Sequence, residues 1–151
     1  MAQTAIAWLR NDLRMADNPA LMRAAQDGRR VIVLYVHETT SGIRLVGAAG
    51  RWWLHQSLAR LSAALAGRGI MLEVRTGETE KVLAQTVSDY DAVAVYWNRR
   101  YGPAARALDA RIKDTLQAQG IGAESLPGNV LAEPWTLATG QDRPYSVYTP
   151  F

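Results

Sequence analysis

Trp8-Leu9-Arg10-Asn11-Asp12-Leu13-Arg14-Met15-Ala16-Asp17-Asn18-Pro19-Ala20-Leu21 decides the fold of this chain. An apolar run ends at Leu9 and gives way to a loop with two arginines and two aspartates, after which a helix opens. Asn18 offers a side chain that can accept a helix N–H. Pro19 brings a fixed φ to the first helical position, where its missing N–H costs nothing. A strand that passes through a polar loop into a helix is the repeating step of an open α/β sheet. The loops at the carboxyl ends of such strands are where those domains hold ligands. Arg10, Asp12, Arg14 and Asp17 either pair with one another and pin the loop or face a ligand.

The same step recurs along the chain. Thr4–Leu9 reads as a buried strand, Asn18–Gln26 as a helix closed by Gly28, and Arg30–His37 as a second, β-branched strand. A loop spans Thr39–Gly47. Ala48–Ala66 is a long helix ended by Gly67 and Gly69. Ile70–Arg75 is a strand, Glu78–Ser88 a helix with acidic residues in its first turn, and Asp91–Trp97 a strand. Pro103–Gln119 is a helix and Ile121–Leu126 a weaker fifth strand. Uncharged strands alternating with helices predict a doubly wound, five-stranded parallel sheet with helices on both faces, a Rossmann-like α/β fold. From Pro127 the pattern fades. Residues 132–151 hold three of the six prolines and no helical stripe, so they read as an irregular linker or wrapping tail.

Composition narrows the function. With 151 residues, 48% of them hydrophobic, the chain can bury one real core. No apolar run reaches the length of a membrane span, and no secretory signal opens the chain. The absence of cysteine removes disulfides, thiolate metal sites and thiol nucleophiles, and fits a cytoplasmic protein. The net charge of +3 comes from fifteen arginines and only two lysines, Lys81 and Lys113. Arginine suits planar anionic partners, but in a chain also rich in alanine a compositional bias of the genome is the better explanation of the ratio.

If the first and fourth strands are neighbours where the strand order reverses, the ligand crevice lies between the loops after Leu9 and after Trp97. Those loops carry the densest polar clusters, Arg10–Arg14 and Trp97-Asn98-Arg99-Arg100-Tyr101-Gly102-Pro103. No G-x-G-x-x-G or P-loop motif follows the first strand, which argues against a dinucleotide dehydrogenase and an NTPase. No G-x-S-x-G elbow and no two-histidine metal spacing exist, the only histidines being His37 and His55. In the long helix, Leu54, Leu58, Leu61 and Leu65 should face the sheet. Trp53 flanks that stripe and Trp52 lies nearly opposite, so Trp52 needs the tail, a ligand or a second domain as cover. In the fourth helix Ala105, Leu108, Ile112 and Leu116 should point inward.

Four stretches together resemble the DNA photolyase and cryptochrome family. They are Trp8–Arg14 with Asp17–Leu21, Gly50-Arg51-Trp52-Trp53-Leu54-His55-Gln56-Ser57-Leu58, Val95–Tyr101, and Tyr145-Ser146-Val147-Tyr148-Thr149-Pro150-Phe151. The resemblance implies that residues 1–131 are the N-terminal α/β antenna domain and that residues 132–151 lead to a helical FAD domain absent from this chain. It implies a flavoprotein lyase that uses light to split cyclobutane pyrimidine dimers in damaged DNA, with the FAD and the lesion held by the missing domain in cis. Residues 1–151 would then carry no catalytic residue and no metal. They would bind at most an antenna pigment, methenyltetrahydrofolate or a deazaflavin. Ala104 and Ala105 stand where folate-binding bacterial photolyases have an Asn-Glu pair, so that mode of folate binding is not expected. By position, the candidate antenna contacts are His37, Glu38, Trp52, Asn98 and Arg100. The alternative is the same domain of a cryptochrome, a blue-light receptor. An unrelated flavodoxin-like or electron-transfer-flavoprotein module would lack the four ordered motifs.

Overall fold

The computed structural model describes residues 2–143 and 145. Apart from Tyr145, the motif at 145–151 lies outside the described residues. The elements are β1 (Thr4–Leu9), α1 (Pro19–Ala24), β2 (Arg30–Glu38), α2 (Ala48–Ala66), β3 (Met71–Gly77), α3 (Thr79–Asp89), β4 (Ala92–Asn98), α4 (Pro103–Ala118) and β5 (Gly122–Leu126), with 3-10 turns at Gln26–Gly28 and Pro134–Thr136. The five strands form one parallel sheet in the order β3-β2-β1-β4-β5. The strand order therefore reverses between β1 and β4, as the two polar loops suggested.

Alternation along β1 sorts the core into two layers. Ile6 and Trp8 point to one face, where Leu83 and Val87 of α3 and Leu108, Ile112 and Leu116 of α4 cover them. Ala5, Ala7 and Leu9 point to the other, under Ala20, Leu21 and Ala24 of α1 and Leu61 and Leu65 of α2. The residue sizes differ by face. Alanines in β1 sit beneath the alanine-rich α1, while Trp8 and Trp97 fill the α4 side, fully buried with ring centroids 5.8 Å apart.

Three details depart from the periodicity. α1 stops at Ala24, and the chain passes through a 3-10 turn to Gly28 at φ 66°, a conformation that favours glycine. In α2 only Leu61 and Leu65 are buried. Leu54 and Leu58 are half-buried, so the buried stripe of this helix is confined to its C-terminal half, beside the edge strand β3. Ala105 does not enter the core; it stays half-exposed in the first turn of α4, at the crevice described below.

Candidate functional site

The two polar loops meet in a buried clamp. Asn18 caps α1 by accepting the Leu21 N–H at 3.2 Å, and its Nδ2 donates to the backbone carbonyls of Asp12 and Arg14. Asn98, the last residue of β4, donates from Nδ2 to Asp12 Oδ2 at 2.6 Å and Asn18 Oδ1 at 2.9 Å. Its Oδ1 accepts the Ala20 N–H at 3.1 Å. Asp12 also accepts the Arg10 N–H at 2.7 Å, which closes the turn. Gly128 lies so close that a Cβ there would stand 2.5 Å from Asn98 Cγ, and its carbonyl accepts from Arg14 at 2.6 Å.

Arg10 pairs not with its loop neighbours but with Asp109 of α4. It makes a bidentate pair at 2.6 and 3.1 Å and donates to the Asn98 carbonyl as well. The Trp97 indole N–H donates to the same carboxylate at 3.1 Å, and the Arg10 guanidinium lies 4.3 Å from the centre of the Trp8 ring. Burial pulls the Arg10 pKa below its ordinary value, and the hydrogen bonds and charge of Asp109 oppose that pull. The loop is pinned, through a partner 99 residues away.

Beside the clamp, a cavity of about 320 Å³ opens between the end of β2, the loop after β4 and the first turn of α4. Tyr35, His37, Glu38, Arg44, Arg100 and Ala105 are among the residues that line it. Arg100 grips Glu38 bidentately at 2.6 and 3.0 Å, and Glu38 also accepts the Thr79 hydroxyl at 3.0 Å. Glu38 is thereby consumed. Arg100 Nε stays buried without a partner, and the side chains of His37 and Arg44 make no hydrogen bond or ion pair among the described residues. Burial, with Glu38 adding to it, holds the Tyr35 phenol above its ordinary pKa. A groove of about 450 Å³ continues past Arg10 and Tyr35 toward Trp53, Leu54 and Ser57 of α2.

The structure thus gathers His37, Glu38 and Arg100 at one crevice and separates the other two candidates from it. Asn98 is 1% exposed, its amide is bonded inside the clamp, and it does not line the crevice. Trp52 is 64% exposed on α2 and lines none of these cavities. The described part of the tail does not cover it. That part lies on the β4–β5 side of the sheet, where Glu133 pairs with Arg99 at 2.7 Å and Trp135 packs on Tyr101. Sequence reasoning missed Tyr35 and Arg44 at the crevice. Tyr35 is hidden inside an apolar strand, and Arg44 sits in a loop without periodicity. Among the described residues no His/Asp/Glu group suits a metal ion, and no helix is long and apolar enough to cross a membrane.

The family model for DNA photolyase matches residues 5–151. A deoxyribodipyrimidine photo-lyase of Agrobacterium fabrum is 42% identical over 146 residues, covering 97% of this chain and 30% of that protein. Cryptochrome-1 of Arabidopsis thaliana is 34% identical over 147 residues, covering 97% of this chain and 22% of that protein. The crystal structure of a bacterial class III photolyase from Agrobacterium tumefaciens matches with a TM-score of 0.89 at 41% identity, covering 99% of this chain and 30% of that one. The chain spans less than a third of the length of these relatives.

Proposed function

This chain belongs to the DNA photolyase family, and from that premise we propose that it is the antenna-binding domain of a light-driven deoxyribodipyrimidine photolyase. The observation that carries the pigment site is the crevice at the β1–β4 reversal, where His37 and Arg44 keep free donors beside an apolar wall. Its volume of about 320 Å³ suits the ring system of a methenyltetrahydrofolate or a deazaflavin, with the remainder of the pigment left outside. Ala104 and Ala105 offer no polar group at the α4 wall. Recognition therefore falls to the β2 end, with the Glu38–Arg100 pair as a fixed polar edge and His37 and Arg44 as donors. Once bound, such a pigment absorbs near-ultraviolet or blue light and passes the energy to FAD.

The catalytic centre is assigned to a helical FAD domain that would follow residues 132–151. The lesion would be flipped into that domain, out of reach of this one. Greater identity to the photolyase than to Cryptochrome-1 supports repair over signalling.

The test is reconstitution. The purified protein is mixed with each pigment and its absorption above 350 nm is followed. Saturable uptake of one pigment that weakens in His37→Ala and Arg44→Ala supports the site. Uptake of neither pigment, or uptake indifferent to both substitutions, sinks it. Dimer splitting by residues 1–151 alone would overturn the placement of catalysis elsewhere.

A further inference from the structure

A second cavity lies farther along α4 than the crevice and shares Arg100 with it. It measures about 270 Å³ and lies between Arg106–Lys113 of α4, the loop after β4, Ser125 of β5 and Trp135 of the 3-10 turn Pro134–Thr136. This is just below the roughly 300 Å³ at which ligand cavities begin, which limits an occupant to one ring system and its substituents.

Its walls combine two features. The first is an aromatic shelf. Trp135 is 60% exposed, its ring centroid is 6.2 Å from that of Tyr101, and the Arg99 guanidinium lies 5.8 Å from it. A large ring held by its neighbours and left open on one side is a platform for a flat ligand. The second is charge without a partner. Arg99 is neutralised by Glu133, and Arg100 by Glu38. Arg106 and Lys113 also line this cavity, and their side chains make no hydrogen bond or ion pair among the described residues. They stand seven residues apart on a helix, on one face. Asp109 between them is spent on Arg10 and Trp97.

We infer that this cavity is a nucleotide site, with the base stacked on Trp135 and the phosphate held between Arg106 and Lys113. The chemistry recognised is one aromatic base carrying one phosphate. It can come from a free mononucleotide or from a nucleotide of a single strand. The site rests on Trp135, Arg106 and Lys113, none of which lines the crevice, so it stands or falls independently of the pigment reading.

Calorimetric titration of the purified protein decides it, with 5′-AMP, adenosine, inorganic phosphate and an octamer of thymidylate as probes. One equivalent of 5′-AMP should bind, and adenosine and phosphate should each bind at least about tenfold more weakly. Trp135→Leu should weaken 5′-AMP at least about fivefold, as loss of one stacked base does. The Arg106→Gln, Lys113→Gln pair should weaken it about tenfold through two exposed charge contacts. His37→Ala, in the crevice, should leave it unchanged. An octamer that binds where 5′-AMP does not, with the same loss in both variants, assigns the site to a strand. The inference is overturned if neither probe binds, if adenosine binds as well as 5′-AMP, or if binding survives both variants.

Discussion

The buried pair of Arg10 and Asp109 should be the most expensive polar interaction in this domain to break. In Asp109→Ala the Arg10 side chain, 3% exposed, loses both guanidinium contacts to the carboxylate and keeps only the Asn98 carbonyl. Removing one partner of a buried pair typically costs about 3–5 kcal/mol, because the surviving charge stays desolvated. The Trp97 N–H loses its acceptor too, a separate penalty of about 1–3 kcal/mol for a buried donor. One carboxylate serves both, so the two do not simply add, and a loss of about 5 kcal/mol is expected. For a chain of this length that corresponds to a fall of about 10–20 °C in Tm. It approaches the whole stability of a marginal domain, at about 5–15 kcal/mol. Asp109→Asn keeps the shape and should cost about half as much. Arg10→Met with Asp109→Leu removes both charges and should recover most of the loss, since apolar replacement of a buried pair is often neutral. Urea unfolding followed by circular dichroism measures all three. Arg111→Ala, which breaks the exposed pair with Glu80, is the control and should cost about 1 kcal/mol or less. A loss below about 2 kcal/mol in Asp109→Ala, or a double variant no more stable than the single one, would refute the assignment of Arg10 as a charge held in place by Asp109.

Three further outcomes follow from the same geometry. Gly128→Ala should destabilise by about 1–3 kcal/mol, because its Cβ would press on an Asn98 amide fixed by three hydrogen bonds; a thermal melt matching the parent would show that the amide yields. Trp52→Ala should change stability by less than about 1 kcal/mol, since the ring is 64% exposed; a loss near the 3–5 kcal/mol of a buried aromatic would place it in the core instead. Tyr35 and Tyr101 both have raised pKa values, chiefly through burial, with Glu38 and Glu133 respectively adding to it. The unfolded chain releases these protons first, so stability should fall as pH rises above the ordinary tyrosine value of about 10. Tyrosinate absorbance at 295 nm in Tyr35→Phe and Tyr101→Phe tests this, and titration of both at the ordinary value would contradict it.

The fold was legible because its signals are local. β-branched runs, an Asn-Pro helix start and glycines after helices each act within a few residues, and together they specify the alternation of strand and helix. The position of the crevice was legible in part, since strand order needs only the assumption that β1 and β4 are neighbours, but the loops after them close on each other and the cavity opens beside them toward the end of β2. Individual side-chain roles were not. Whether Asn98 faces a ligand or a neighbour depends on Asp12, Asn18 and Ala20, which lie 78 to 86 residues away in sequence. Periodicity failed on the first half of α2 for a related reason. An edge strand offers too little sheet for a helix of 19 residues, so Leu54 and Leu58 keep the spacing of a buried stripe without the burial.

The division of labour between the two polar loops explains why a pigment would be gripped from the β2 side. The charges that make Arg10–Asp17 conspicuous are nearly all consumed internally. Asp12 holds the Arg10 N–H and Asn98, Arg10 holds Asp109, and Arg14 holds two carbonyls. A loop so tied has little freedom left to lose, so a ligand that settles against it is spared the ordering cost that weakens binding to a mobile wall. Specificity then has to come from groups that remain unspent, and around the crevice those include His37, Arg44 and the Tyr35 hydroxyl. The β1 loop is thus a rigid wall, and the groups that would recognise the proposed pigment belong to the end of β2 and the loop that follows it.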